Sequence, residues 1–480
     1  LRNAIDIQPT NFLANLNLGA LLKDIGNLND AENFTNNAIN IEPNNEVAYI
    51  NLALIKQQRF DFPSGIENSN KAITLNPNSE FAHNILGSIL ADNGDLHNAI
   101  IETKKAIAIN KNYAEAYVNI SKLYDQEGNT EESILSAKQA IKLKPHLTSS
   151  YFLLSTINPI QNLSDYKDYL FSEEIVKNQK NIDMIDIFFA RANYLEKKYL
   201  HNEEVKMLNS ANRLNRKIYG SNYDNFTNQI NYYYNESKQF EEINTTGRCS
   251  VTPIFAVGLP RSGKTILESI LCRNDLVEKC GENRALSISI NEYREKLKSS
   301  KKSLGEIYIK NMQKNLIGKR YLCTTNPSNF IYTGMIAAGI SNAKIIYCYR
   351  NPLDNIKELY KMNLKNKYSF KSSIEESAKL YILITQTMKK YKKRFEDSIY
   401  FLNYDDLVSN TKTELKELLH WLDWDYNEKY LFPDLDTTTQ KNKDKKNSLL
   451  NTNHINTWKN YKELVEPARK ILEISMKEII

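Results

Sequence analysis

The 480-residue sequence lacks several features that would assign it to common classes of protein. No apolar run approaches the length of a membrane span, so no transmembrane helix is expected. The five cysteines include no C-x-x-C pair, which leaves no zinc site or disulfide framework readable and favours a reducing compartment. No compact stripe of basic and aromatic residues is present, so nucleic acid is not an expected partner.

These absences predict a cytoplasmic location. The first residue is Leu1 rather than an initiator methionine, so the sequence is expected to be a fragment, with an upstream signal or further repeats left open. Its length predicts at least two domains. Residues 1–150 carry a net charge of −5 and the remainder +11, which suits binding of a small anion to the C-terminal half. The alternative is an ordinary lysine-rich surface.

A period of 34 residues runs through the N-terminal region. Prolines recur with this spacing, and Lys111 fills the one missing place; they are Pro9, Pro43, Pro77 and Pro145. Alanine-isoleucine pairs keep the same register. This period with small residues at helix crossings predicts an α-helical tetratricopeptide repeat array over residues 1–155. Its concave face would bind a peptide or a protein partner; the alternative is a stack that has a structural role or forms a homodimer.

The remainder of the chain divides into two further predicted regions. Residues 156–248 lose the period but stay helical, as a connector of degenerate repeats that ends in the loop Asn244–Gly247. Residues 249–480 alternate apolar strands with helices, including strands Arg320–Thr324, Ala343–Tyr349 and Ser398–Asn403. Such alternation predicts an α/β domain: a P-loop-like parallel sheet with helices on both faces and a ligand at the carboxyl ends of the strands.

The segment Gly258–Thr265 lies between an apolar strand and a predicted helix. Strand, glycine-bearing turn and helix together direct backbone N–H groups toward a phosphate. The segment satisfies the G-x-x-x-x-G-K-[ST] pattern of ATP- and GTP-binding proteins, which makes a P-loop NTPase or kinase one alternative. That function needs an acidic residue at a strand end to hold Mg²⁺. Strand Ala343–Tyr349 is followed by Arg350, and only Asp405 is a candidate acid.

Several short motifs occur in an order that resembles sulfotransferases. The closest resemblance is to tetratricopeptide-repeat sulfotransferases, which are similar to the tyrosylprotein sulfotransferases, and it covers nearly the whole chain. The motifs that carry it are Gly258–Thr265, Cys280–Arg284, Pro327–Phe330, Ala343–Ile346, Tyr349–Asn355, Tyr404–Leu407 and Thr457–Tyr461.

This resemblance implies the sulfotransferase fold and a sulfuryl donor, 3′-phosphoadenosine 5′-phosphosulfate, without a metal. Glu282 matches the glutamate that deprotonates the acceptor hydroxyl, and Arg261 would stabilise the transferring group. Arg350 would hold the 3′ phosphate, and Tyr404 would lie near the adenosine. The residues that would surround the 5′ phosphosulfate are Arg261, Ser262, Gly263, Lys264 and Thr265.

Four positions depart from the family pattern. Lys264 stands where threonine is usual, Thr325 replaces a lysine, Glu358 replaces a serine eight residues after Arg350, and His454 stands where serine is common. A carboxylate beside a phosphate is unfavourable unless Lys357 or Lys361 neutralises it. A catalytically weakened interaction scaffold is therefore a second alternative. The acceptor, whether a tyrosyl peptide, a glycan or a metabolite, is left open.

Overall fold

We describe the protein from a computed structural model, which describes residues 1–157, 161–177, 179–242, 249–296, 303–312, 316–364, 368–431 and 452–477. The chain forms two compact units, residues 1–207 and 208–480. Within the described ranges, no helix is both long and apolar enough to cross a bilayer. The predicted loop Asn244–Gly247 lies outside the described residues, and the predicted domain limits at residues 155 and 248 stay predictions.

The first unit begins with antiparallel helix pairs. Buried alanines such as Ala31, Ala72 and Ala106, each with no exposed surface, let the paired helices pack closely. Asparagine, aspartate and serine side chains cap most of these helices. The helices are α1 Arg2–Ile7, α2 Phe12–Asp24, α3 Leu28–Ile41, α4 Glu46–Gln58, α5 Phe62–Leu75, α6 Glu80–Asp92, α7 Leu96–Ile109, α8 Ala114–Glu127 and α9 Thr130–Leu143. The repeat prediction is confirmed.

The turns between paired helices require a left-handed residue. Gly26, Gly94 and Gly128 have φ angles of 83°, 89° and 86°. Phe60, which occupies the equivalent place in the second pair, has a φ of 63°. A non-glycine residue in this region is strained by about 1 kcal/mol, a cost that the packing of α4 against α5 offsets.

Five further helices follow the repeats, and α14 contains the boundary between the units. An aromatic and aliphatic core joins α9, α10 and α13 around Tyr151 and Ile187. The elements are α10 Thr148–Thr156, α11 Gln161–Ser164, α12 Lys167–Phe171, a 3-10 turn Glu174–Val176, α13 Asn181–Lys197 and α14 His201–Tyr219.

The second unit contains a five-stranded sheet in the order β2-β3-β1-β4-β5. Every neighbouring pair is parallel. Because all strands run in one direction, their carboxyl ends share one edge, where ligands of open α/β sheets bind. The strands are β1 Thr252–Val257, β2 Val277–Gly281, β3 Tyr321–Thr324, β4 Lys344–Tyr349 and β5 Ile399–Asn403. The predicted α/β fold is confirmed.

Helices flank the sheet. The main core lies between the sheet and α16 and α23, around Leu267, Ile346 and Leu418. The helices are α15 Tyr223–Glu242, α16 Lys264–Leu271, α17 Ala285–Lys296, α18 Leu304–Met312, α19 Thr333–Gly339, α20 Pro352–Tyr360, α21 Ile374–Arg394, α22 Tyr404–Ser409, α23 Thr411–Trp421 and α24 Lys462–Lys477. Shorter 3-10 turns are Pro327–Tyr332, Ser369–Ser372, Glu396–Ser398, Glu428–Tyr430, Thr452–His454 and Thr457–Tyr461.

Strand β2 was not predicted, and its composition explains why. It lies at the edge of the sheet, and only Val277 and Cys280 of its five residues are buried. The charged pair Glu278 and Lys279 protects an exposed edge from pairing with another chain. The same pair interrupts the apolar run from which a strand is predicted. Strand β2 matters for the site because Glu282 follows it directly.

A buried lysine lies where the 3-10 turn Ser369–Ser372 meets α14. The Lys371 side chain has no exposed surface, and its Nζ donates to Asn212 Oδ1 at 2.8 Å. Asn212 Nδ2 in turn donates to the carbonyl oxygen of Tyr360 at 2.8 Å. Burial disfavours the ammonium form and lowers the pKa of Lys371 to about 7.

This burial predicts a pH-dependent stability. Between pH 7 and 10.5, unfolded Lys371 binds a proton that the folded protein releases, so its contribution to the free energy of unfolding rises with pH. The slope is at most about 1.4 kcal/mol per pH unit. Urea denaturation at pH 7, 8 and 9 should show a smaller slope for Lys371→Met than for wild type. Lys379→Met, which removes an exposed lysine from α21, should keep the wild-type slope; equal slopes in all three proteins would contradict the prediction.

Candidate active site

The turn between β1 and α16 contains three residues in the left-handed region. Gly258, Arg261 and Gly263 have φ angles of 140°, 64° and 95°. A Cβ on Gly258 would overlap the carbonyl oxygen of Cys348, and a Cβ on Gly263 would overlap the Tyr404 ring. Both glycines are therefore required by close packing as well as by conformation. Such a turn at a helix N-terminus forms a concavity suited to an anion.

Lys264, the first residue of α16, points back across this turn. It is buried, and its Nζ donates to the carbonyl oxygens of Gly258 at 3.0 Å and Leu259 at 2.6 Å. Burial lowers the pKa of Lys264 to about 8, and the negative charge of Glu282 partly opposes this shift. The lysine thus holds the turn together, carries a positive charge at neutral pH and feels the charge of Glu282.

Two polar side chains complete the turn. Ser262 is 2% exposed, and its Oγ makes no hydrogen bond within the described part of the chain. Asn355 on α20 is also buried, and its Nδ2 donates to the carbonyl oxygen of Pro260 at 3.0 Å. A buried hydroxyl left without a partner is costly, so Ser262 Oγ suits a ligand oxygen at this turn.

Arg350 follows β4, the strand beside β1. Its side chain is buried, its guanidinium lies 5.1 Å from the centre of the Tyr404 ring, and Nη2 donates to the carbonyl oxygen of His454 at 2.6 Å. Arg350 Nε makes no hydrogen bond among the described residues, and Asp405 Oδ1 is 3.8 Å from it. Arg350 therefore keeps a donor available close to the glycine turn.

Asp405 balances part of this charge. Its Oδ2 accepts the backbone N–H of Asn351 at 2.6 Å. Burial raises the pKa of Asp405, while the Asn351 hydrogen bond and the Arg350 charge act in the opposite direction. The one candidate for a magnesium-binding acid is thus engaged with Asn351 and Arg350.

Glu282 lies at the same edge of the sheet, after β2. Its side chain is exposed, and Asn326 Nδ2 donates to its carbonyl oxygen at 3.2 Å. Burial raises the pKa of Tyr368 to about 12, and the charge of Glu282 adds to this shift. Since Lys264 also feels this charge, Glu282 lies within electrostatic range of both the glycine turn and Tyr368.

The unusual Glu358 is neutralised by its neighbours. Lys357 Nζ lies 2.8 Å from Glu358 Oε1. Burial alone would raise the pKa of Glu358, but the charges of Lys357, Lys361 and Arg261 lower it to about 2. The positive charges of these three residues exceed the one negative charge of Glu358. A carboxylate at this position is therefore compatible with a bound phosphate nearby.

The segment around Trp458 is fixed to α20 through a buried acid. Asp354 has no exposed surface and accepts hydrogen bonds from Asn456 N at 2.7 Å, Thr457 Oγ1 at 2.9 Å and Trp458 N at 2.8 Å. Thr457 Oγ1 also accepts from Lys357 Nζ at 2.6 Å. This aspartate gives the residues after Thr452 a defined position near Arg350.

The predicted site residues all lie at the carboxyl edge of the sheet. Arg261, Ser262, Gly263, Lys264 and Thr265 are contiguous after β1, and Glu282, Arg350 and Tyr404 follow β2, β4 and β5. Tyr404 packs against Gly263 and beneath Arg350. Their roles in binding and catalysis stay predictions.

Sequence reasoning missed three buried polar residues that support this site: Glu268, Asp354 and Asn355. One signal was available for Glu268. It falls on the same helical face as Leu267 and Leu271, where an apolar residue is expected. Asp354 and Asn355 fall within the motif Tyr349–Asn355, but the sequence does not show that they are buried, because they follow a helix-capping Asn-Pro pair where polar residues are common.

Each unit contains a match to a known protein family. Residues 253–428 match the sulfotransferase family, and residues 82–113 and 114–147 match the tetratricopeptide repeat. An uncharacterized protein of Aquifex aeolicus (strain VF5) is 24% identical over 322 residues, which are 61% of this chain and 42% of that protein. The chain thus matches less than half of that relative's length.

Solved structures resemble parts of the chain. The crystal structure of MamA protein is 22% identical, with coverage of 41% of this chain and 94% of that one and a TM-score of 0.28. A thermophilic TPR protein of Thermus thermophilus, TTC0263, is 18% identical, with coverage of 42% and 98% and a TM-score of 0.31. The chain therefore contains tetratricopeptide repeats followed by a domain that matches the sulfotransferase family.

Proposed function

We propose that the domain moves a sulfuryl group from 3′-phosphoadenosine 5′-phosphosulfate to an acceptor hydroxyl. The observation that carries this proposal is that two groups of positively charged residues lie side by side at the carboxyl ends of two neighbouring strands. The glycine turn with Lys264 and Arg261 follows β1, and Arg350 follows β4. A nucleotide with phosphate at both its 5′ and 3′ ends matches two such sites.

The donor's 5′ end suits the glycine turn. Backbone N–H groups, the Ser262 hydroxyl and the Lys264 ammonium would bind the phosphosulfate oxygens there. The Arg350 Nε–H would donate to the 3′ phosphate. The phosphate would then replace Asp405, whose Oδ1 is 3.8 Å away, as the anionic partner of Arg350. Arg261, which is exposed on the turn, would stabilise charge on the transferring group.

The transfer step then needs a base. The acceptor oxygen attacks sulfur in line, the bond between sulfur and the bridging phosphate oxygen breaks, and adenosine 3′,5′-bisphosphate leaves. Glu282 takes the acceptor's proton. The place of Glu282 after β2, at the sheet edge that also carries the glycine turn, supports this assignment, since the base must lie on the side of the sheet where the donor binds.

The acceptor that we propose is a protein hydroxyl, with tyrosine as the first class to test. Tetratricopeptide repeats bind proteins and peptides, and the Cys280-Gly281-Glu282 motif resembles that of tyrosylprotein sulfotransferases. The first unit also has a cavity of about 570 Å³ lined by aromatic rings and lysines, among them Tyr151, Tyr166, Tyr169, Lys138 and Lys142. These residues suit an acidic peptide segment with an aromatic side chain.

One calorimetric experiment separates this function from that of an NTPase. Adenosine 3′,5′-bisphosphate should bind equally well with Mg²⁺ or EDTA. ATP·Mg²⁺ should bind about tenfold more weakly or worse, because it lacks the 3′ phosphate that would accept a hydrogen bond from Arg350. Tight, Mg²⁺-dependent ATP binding would instead establish the NTPase.

The same protein is then given labelled donor with a tyrosyl peptide, its phenylalanine analogue, a glycan and a small phenol. Label should enter the tyrosyl peptide and not the analogue. Donor binding without transfer to any of these acceptors would favour the interaction scaffold.

A further inference from the structure

Helix α16 buries two charged side chains. Lys264 and Glu268 are 5% and 2% exposed, and they lie one turn apart beside Leu267 and Leu271 in the core. A charge on a core-facing helical surface is costly unless a specific partner compensates it. Lys264 has such a partner in the glycine turn. Glu268 instead contacts the segment that leads from β2 to Glu282.

Glu268 binds the backbone just before Glu282. Its Oε1 accepts the N–H of Gly281 at 2.8 Å. The register between β2 and β3 shifts between Lys279 and Gly281, and Gly281 has a φ of 59°. The chain thus leaves the regular sheet at this residue, and a carboxylate from α16 accepts the N–H there.

Other groups hold the same segment from the opposite side. The carbonyl oxygen of Gly281 accepts Thr325 N at 2.9 Å and Thr324 Oγ1 at 3.0 Å. Asn326 Nδ2 donates to the carbonyl oxygens of Glu282 and Asn283. The backbone of Glu282 is therefore fixed on both sides, although its side chain is exposed.

We propose that Glu268 is a positioning residue, which fixes Glu282 relative to the donor-binding turn. Helix α16 begins at that turn, so a bond from its second turn to Gly281 connects donor and base through one rigid element. This inference rests on the proposed function, in which Glu282 is the base. Fixed geometry between a base and the reacting group is worth large factors in rate.

The test is a double-mutant cycle. Glu268→Ala leaves the Gly281 N–H without its acceptor and should lower kcat about 100-fold, with donor Kd changed less than about threefold. Glu268→Gln keeps an amide oxygen at the same place and should recover most of this loss. In the Glu282→Gln background, Glu268→Ala should lower kcat by less than about threefold, because its effect acts through Glu282.

Leu271→Ala is the matched control, since it destabilises the same helix without touching Gly281. Its effect on kcat should be the same in both backgrounds. Amide hydrogen exchange of a peptide covering residues 277–286 gives a second readout that needs no activity. Glu268→Ala should accelerate exchange there, whereas Leu271→Ala should not do so selectively.

Unchanged exchange in Glu268→Ala, or a full 100-fold loss in the Glu282→Gln background, would overturn the proposal. If the wild-type protein transfers no sulfuryl group, the proposed function is wrong and the positioning role is wrong with it. Accelerated exchange would then still identify Glu268 as the anchor of the segment, so the two failures are distinguishable.

Discussion

Glu282→Gln should abolish most sulfuryl transfer while leaving the donor bound. Glutamine has nearly the same shape as glutamate but cannot accept the acceptor's proton, so kcat should fall by about 10² to 10⁴. The Glu282 side chain is exposed and its backbone is held by Asn326, so the fold should not change. Turnover with a saturating tyrosyl acceptor and calorimetric binding of adenosine 3′,5′-bisphosphate measure the two effects.

The donor titration is best done at pH 7. Burial already lowers the pKa of Lys264 to about 8, and the charge of Glu282 opposes that shift. Glu282→Gln removes this charge and therefore lowers the pKa of Lys264 further. At higher pH, Lys264 would lose its proton, and donor binding would weaken through Lys264 rather than through the loss of the base. At pH 7 the affinity of Glu282→Gln should stay within about threefold of wild type.

Glu278→Gln is the matched control. Glu278 lies on β2 four residues before Glu282 and is 4.0 Å from Lys319. The same chemical change there should leave both kcat and donor affinity unaltered. If Glu282→Gln keeps more than about a third of wild-type turnover, Glu282 is not the base; if it loses donor affinity in proportion to kcat, Glu282 binds the donor instead.

Local sequence patterns predicted the elements that depend on contiguous residues. The repeat helices follow from a 34-residue period because each helix pair presents the same small and large residues to the next. The glycine turn was predictable because its three left-handed residues all lie within the contiguous segment Gly258–Thr265. The position of Arg350 at the edge of the sheet was predictable because this residue follows a buried strand, and the carboxyl ends of parallel strands meet at one edge.

Interactions between distant parts of the chain were not predictable. Asn355 holds the carbonyl oxygen of Pro260, which is 95 residues earlier, and Asp354 accepts three hydrogen bonds from the segment after Thr452. A sequence shows that these side chains are polar but not which backbone group they meet in the fold. The neutralisation of Glu358 by Lys357 and Lys361 was foreseen from the sequence, but the smaller contribution of Arg261 was not, because it depends on the approach of the turn to α20.

Arg350→Gln should weaken binding of the 3′-phosphorylated nucleotide by about 100-fold, because the phosphate loses charge-assisted hydrogen bonds worth about 1.5 to 3 kcal/mol each. Adenosine 5′-phosphosulfate, which has no 3′ phosphate, should bind wild type and variant equally. Arg350→Lys should give an intermediate loss, since an ammonium keeps the charge but not the fork of donors. Calorimetry with both nucleotides measures these differences.

The variant also changes the neighbourhood of Asp405, and this effect must be separated from ligand binding. Burial already raises the pKa of Asp405, and the charge of Arg350 opposes that rise. Arg350→Gln alone leaves a partly buried carboxyl without its cation and should lower the melting temperature. The double variant Arg350→Gln with Asp405→Asn should recover much of the thermal stability but none of the affinity for the 3′ phosphate. Equal loss of both nucleotides, or recovery of affinity in the double variant, would make Arg350 a structural cation rather than the 3′-phosphate site.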